Sequence, residues 1–345
     1  MQSVAAARGD AGDQLSRFRR LVTLTIVATF TLILIGGVVR VSDSGLGCGA
    51  AGSGTHGWPL CQGGVLPADT SESIIEFSHR VAATVVTLLI VLMAWRAFRH
   101  LRAYKLLVRG SVAAGLLVVA QAALGGLTVE KGLEDELVAI HLGVAMLLLG
   151  LLFALRRASE EKPAPEASAI RALRPLGILT AVLVLATIVA GGYVAGTEYH
   201  GTPEAATVVG AHTACGTGWS TAQFPGCNGQ GFLSFGQTRL ADIQLTHRLF
   251  MYLTTISVLA FAALGLWRRV PTKAFWLMPL ILVGQIALGA INVWAGKHAG
   301  LIVGHLALGT TLWMTVVYAT AKLMPAPSPA PERLAGPEAT GAAPA

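Results

Sequence analysis

Eight apolar stretches, each about as long as a bilayer is thick, leave this chain few folds to adopt. They fall at about 21–40, 77–97, 106–129, 137–155, 174–196, 245–266, 275–294 and 301–323. A helix needs roughly 20 apolar residues to cross a hydrocarbon core of about 30 Å. In that medium every backbone N–H and C=O must be satisfied within the chain, so only helices and closed barrels span it. The composition agrees: of 345 residues, 54% are hydrophobic and only 12% charged, with a mean hydropathy of +0.64. A large soluble domain is excluded. The expected fold class is an all-α membrane protein, its eight transmembrane helices forming two tandem four-helix bundles.

A net charge of +7 and a pI near 9.5 would suit nucleic acid, but the distribution argues for a membrane instead. Arg17, Arg19 and Arg20 precede the first stretch. Arg96, Arg99, Arg102, Lys105 and Arg109 cluster between the second and third. Arg156, Arg157, Lys162, Arg171 and Arg174 join the fourth to the fifth, and Arg268, Arg269 and Lys273 join the sixth to the seventh. The alternate loops carry far fewer, namely Lys131, Arg239 and Lys297. By the positive-inside rule both termini are cytoplasmic and the sparsely charged loops face outward, as expected of a multi-pass plasma-membrane protein. The first stretch is long for a signal peptide and runs into Gly36-Gly37-Val38-Val39-Arg40 with no small-x-small cleavage site, so it reads as a retained helix.

The two halves repeat. Gln121-Ala-Ala-Leu124-Gly125 stands 20 residues before His141, and Gln285-Ile-Ala-Leu288-Gly289 stands 20 residues before His305. His79-Arg80 and His247-Arg248 correspond, as do Gly36-Gly37 and Gly191-Gly192. Two copies of a four-span unit, an even number of crossings each, have the same orientation in the membrane. The implied organisation is a cytoplasmic N-terminal tail over 1–20, a first half over 21–157, a cytoplasmic linker over 158–173, a second half over 174–323 and a cytoplasmic tail over 324–345. The Pro- and Ala-rich tail and the residues up to about Gln14 are expected to be disordered.

Four of nine histidines, His79, His141, His247 and His305, sit at the outer starts of the even-numbered stretches and match pairwise across the repeat. Ionisable groups at such places are costly and seldom idle. Two histidines are too few for zinc or copper, which want three or four protein ligands. A porphyrin already supplies four equatorial nitrogens, so two imidazoles in a four-helix bundle complete an octahedral iron. Arg80 and Arg248, next to two of these histidines, are candidate partners for haem propionates. The other histidines, His56, His100, His200, His212 and His298, read as solvated side chains.

Cys48, Cys61, Cys215 and Cys227 all lie in two outward loops, where one disulfide per loop is the default. A bridge over a loop of this size stabilises by about 3 kcal/mol in the chain-entropy model. A zinc site that adds His56 or His212 is the weaker alternative. The halves differ at one telling position: Glu76, three before His79, is matched by Gln244, three before His247. Acid–base work needs the ionisable form, which puts chemistry in the first half and cofactor holding in the second. The alternative role for Glu76 is to orient His79.

With these motifs in hand, the chain resembles the haem A synthase family. The resemblance covers about residues 20–323. It rests on Gly45-Leu46-Gly47-Cys48, Trp58-Pro59-Leu60-Cys61, Glu76-x-x-His79-Arg80, Gln121-x-x-Leu124-Gly125, His141, His247-Arg248, Gln285-x-x-Leu288-Gly289 and His305. It implies that His79 and His141 hold the substrate haem O, that His247 and His305 ligate a resident haem b, and that Glu76 is the functional carboxylate. It also implies the disulfides Cys48–Cys61 and Cys215–Cys227. The twelve residues between Cys48 and Cys61 exceed the usual first-loop spacing of the family.

The implied reaction oxidises the C8 methyl of haem O to a formyl group for cytochrome oxidase assembly. The implied partners are haem O and its synthase, oxidase assembly factors, the lipid bilayer, an unnamed electron acceptor and a second copy of the chain in a homo-oligomer. Nucleic acid is not expected. The alternative is a di-haem b, quinol-linked electron-transfer cytochrome, which more often places its haems on opposite sides of the bilayer.

Overall fold

The computed structural model describes residues 2–160, 172–197, 210–296 and 298–324. Most of the linker expected over 158–173, nearly all of the tail over 324–345, and His200 and Lys297 lie outside the described residues. Those described form eight helices long and apolar enough to span a membrane. They are α1 (Gln2–Val41), α2 (Ser71–His100), α3 (Lys105–Glu130), α4 (Asp135–Ala158), α5 (Arg174–Gly196), α6 (Arg239–Trp267), α7 (Ala274–Ala295) and α8 (Ala299–Lys322). The described residues contain no strand, only two isolated bridges. The chain is an all-helical, multi-pass membrane protein.

Each helix holds its apolar stretch to within one residue, and three begin early. The expected irregular tail up to Gln14 is corrected, because α1 is helical from Gln2. Its first turns are rich in alanine, the strongest helix former. Helices α2 and α6 each begin six residues before their apolar runs, in polar turns that sequence hydropathy cannot score. Thr70 caps α2, its Oγ1 accepting the Ser73 N–H at 3.3 Å. Thr238 caps α6 in the same way, accepting the Ala241 N–H at 3.1 Å. Such caps contribute about 1 kcal/mol each.

Contacts link α1–α2, α2–α3, α3–α4 and α1–α4 into one ring, and α5–α6, α6–α7, α7–α8 and α5–α8 into another. The rings join through α4–α5, α4–α8 and α1–α8. The joint has a two-fold character that small residues make possible. A Cβ added at Gly37 would meet Leu306, the residue after His305, at 2.7 Å; one added at Gly192 would meet Leu142, the residue after His141, at 3.0 Å. Close backbone approach through glycine is the usual basis of helix packing in lipid. Polar atoms reinforce it: Trp313 Nε1 donates to Met146 O at 2.9 Å across the joint, and the Thr180 and Ser257 hydroxyls pair at 2.6 Å between α5 and α6. Apolar side chains such as Leu24, Leu88, Trp276, Leu280 and Val283 cover the outside.

At the arginine-rich end Glu160 gathers Lys322 and Arg156, and Arg19 donates to Ser159 O. Burial alone would raise the Glu160 carboxyl. The hydrogen bond and charge of Lys322, with Arg157 and Arg156, outweigh burial and hold it below the ordinary glutamate range.

Candidate functional site

The four histidines have one register. His79 and His247 each lie eight residues into their helices, counted from Ser71 and Arg239. His141 and His305 each lie six residues in, counted from Asp135 and Ala299. At 1.5 Å per residue these depths are about 12 and 9 Å from the same end of the molecule. All four are half-buried, deeper in the helices than their position at the apolar boundary implied.

Each ring lies against a glycine on the preceding helix. A Cβ at Gly36 would come within 3.2 Å of His79 Nε2, and at Gly125 within 3.4 Å of His141 Cε1. In the second ring of helices a Cβ at Gly191 would lie 2.9 Å from His247 Cε1, and one at Gly289 the same distance from His305 Cε1. The imidazoles of His247 and His305 face one another, centroids 6.5 Å apart and planes crossed at 74°. His79 and His141 are likewise within electrostatic reach of each other. His247 Nδ1 lies 3.0 Å from the Thr187 carbonyl. A carbonyl only accepts, so Nδ1 carries the proton and the Nε2 lone pair is left for a metal. Gln285 Nε2 donates to His305 Nε2 at 3.1 Å, so the matched Gln-to-His spacing is a contact in this half.

Two loops at the histidine end cover the rings, and they are copies in detail. Cys48–Cys61 and Cys215–Cys227 are disulfides. This corrects the zinc alternative: no described cysteine is free, and no described cluster of three or more metal-binding side chains exists. After each second cysteine comes a tight turn, Cys61 to Gly64 and Cys227 to Gln230. Its central residues, Gln62-Gly63 and Asn228-Gly229, all have positive φ, which explains a glycine at the second of the two. Gln62 N–H donates to Cys48 O and Asn228 N–H to Cys215 O.

The polar residues beneath these loops are where the halves part. Glu76 is 4% exposed. Its Oε2 accepts the Cys48 N–H at 2.7 Å, and its Oε1 pairs with Arg80. Arg80 also donates to the carbonyls of Gly57, Pro59 and Leu60. Thus α2 holds the first loop through a carboxylate–guanidinium pair. In α6 the equivalent Arg248, 2% exposed, donates to Gly226 O at 2.5 Å, the match of Leu60 O. Its Nε and Nη2 have no partner, nor has Gln244 Oε1. Both Glu76 oxygens are engaged by the loop and by Arg80, three residues from His79 along α2.

One residue escaped sequence reasoning. His212, expected to be solvated, is half-buried and interacts electrostatically with both His247 and His305. It stands three before Cys215, where the first loop has Gly45 three before Cys48, so the repeat gave no histidine to match it. His56, His100 and His298 are exposed, as expected.

Residues 19–317 match the family model described as cytochrome oxidase assembly protein, COX15-CtaA. The chain belongs to this family. Its relatives include the Heme A synthase of Shouchella clausii, 30% identical over 80% of this chain and 86% of that one. That of Alkalihalophilus pseudofirmus is 29% identical over 88% and 96%. That of Halalkalibacterium halodurans is 31% identical over 60% and 63%.

Proposed function

We propose that this family member oxidises haem O to haem A in the first ring of helices and keeps a haem b in the second. The observation that carries the reading is the doubled histidine register with a carboxylate beside only one copy. His79 and His141 are proposed to hold the substrate haem O, and His247 and His305 would hold haem b. The residues fit such groups: four rings backed by glycine, and buried orphans at His141 Nδ1, Gln121 Oε1, His305 Nδ1, Gln285 Oε1 and Arg248. Buried polar groups in folded proteins are rarely left unpaired. A haem held by His247 and His305 would supply one-electron redox chemistry.

The chain's own residues supply the rest. Haem O enters the first ring from the lipid, and its C8 methyl passes through hydroxymethyl and hydrated aldehyde to formyl. Conversion of methyl to formyl takes up one water and releases four protons and four electrons. Glu76 accepts protons or stabilises positive charge growing at that carbon. Its fixed position, between the Cys48 N–H and the Arg80 guanidinium, suits a base that must not swing away. Arg80 acts as the loop's clamp, since its terminal nitrogens are engaged. Arg248, with two unpartnered nitrogens, is the proposed partner of a haem b propionate.

The same reading places the protein in the plasma membrane with both termini cytoplasmic and the histidine and disulfide end outside. Haem O synthase and oxidase assembly factors are the expected partners.

Pigment extraction from the protein co-expressed with a haem O source tests the reading. Haem A together with haem b is the expected product. Haem b alone, at two per chain, would instead support the di-haem cytochrome.

A further inference from the structure

A groove of about 680 Å³ runs along α5 between α4 and α6. Ala139, Ala186 and Ala190 form its floor, and Ile243, Thr246 and Phe250 its α6 wall. Small side chains open it. In the register that pairs Gly36 with Gly191, Ala186 and Ala190 correspond to the larger Thr31 and Ile35 of α1.

The mouth of the groove is polar. Tyr193, Arg239 and Asp242 line it. Arg239 Nη2 donates to Tyr193 Oη at 3.0 Å, Tyr193 Oη donates to Glu136 Oε1 at 2.9 Å, and Arg239 lies 3.7 Å from Asp135. One guanidinium thus faces Asp135 directly and Glu136 through Tyr193, with the Asp242 carboxylate also lining the mouth. A phosphate head would meet net negative charge there, whereas a neutral head bearing carbonyl oxygens meets guanidinium donors without that repulsion.

The groove also adjoins the second histidine pair. Ile243, Thr246 and Phe250 are four before, one before and three after His247. At 3.6 residues per turn they share the helix face beside it. Ala190 directly precedes Gly191, which packs on His247. An apolar channel on the helix face beside His247, with a hydrogen-bonding mouth of net negative charge, suits an uncharged oxidant with an apolar tail.

We propose that this groove binds an isoprenoid quinone, the acceptor that the oxidation of haem O requires. The proposal rests on the oxidative reading above. Two quinones balance one formyl group: each takes two of the four electrons and two of the four protons released, and leaves as quinol.

The test uses the haem-loaded full chain in detergent and a short-chain azidoquinone photolabel. Crosslinks should map to Ala186–Tyr193 of α5 and Arg239–Phe250 of α6. Decylubiquinone should displace the label, and dioleoylphosphatidylglycerol should not. Ile243→Trp should cut labelling at least ten-fold while the b-type absorption spectrum persists as the control of folding. Ala186→Leu serves as a milder second block, expected to cut it about three-fold. Equal displacement by the phospholipid would make this an ordinary lipid groove and overturn the proposal. So would labelling elsewhere, or labelling that both blocked variants retain. Absence of haem A from extracts would sink the oxidative reading without moving the crosslink map, so the two failures are distinct.

Discussion

In the first ring of helices a Cβ added at Gly36 or Gly125 would stop 3.2 or 3.4 Å from a histidine; in the second, at Gly191 or Gly289, it would reach 2.9 Å. The first ring has a carboxylate that balances its arginine, and the second has a glutamine that does not. Duplication produced one scaffold with two settings. The looser setting, with its fixed carboxyl group, suits the proposed substrate haem. The tighter one, with an arginine that lacks an anion, suits a haem that stays.

The largest test of that contrast removes ligands. His247→Ala should abolish the resident b-type absorbance. His79→Ala should leave that absorbance in place and abolish haem A output. Loss of both pigments from either variant would erase the distinction. Next come the glycines. Overpacking typically costs about 1–3 kcal/mol, so Gly289→Ala should lower haem b retention about ten-fold in a detergent wash. Gly125→Ala should change the KM for haem O less than about two-fold. Equal effects would mean that the two settings are not different.

A smaller effect is expected from Gln244→Glu, which gives the second ring the first ring's carboxylate. An internal anion beside Arg248 should compete with a propionate and weaken haem b binding several-fold in titration. Unchanged affinity would remove Arg248 from the site. The smallest effect belongs to the opposite end, where both halves meet at Glu160. Its carboxyl is held below the ordinary glutamate range mainly by Lys322, against the opposing effect of burial. Its contribution to stability is therefore present above that range and fades as pH falls through the lowered value. Glu160→Gln should lower the Tm by about 2 °C at neutral pH, and the difference should vanish in acid. A constant difference would contradict the ion pairing.

Much of this was legible in the residues because lipid simplifies the code. Apolar length located every span, and the identical Gln-to-His spacing located both pairs of rings. The helix starts at Ser71 and Arg239 were not legible, since their first turns are polar and owe their helicity to Thr70 and Thr238. The glycines beside the histidines were visible as motifs, but their role depends on which helices adjoin. The bond from the Cys48 N–H to Glu76 joins residues 28 apart through a loop that has no periodicity to read. His212 was misjudged for the same reason: its loop brings it under the fold, and the repeat gave no second copy to flag it.

The pigment content of Glu76→Gln, expressed with a haem O source, tests the central claim most directly. Resident haem b at the wild-type level, with haem O or its hydroxymethyl form accumulating and haem A nearly absent, is the predicted result. Haem A at the wild-type level would contradict the assignment of chemistry to the first ring's carboxylate.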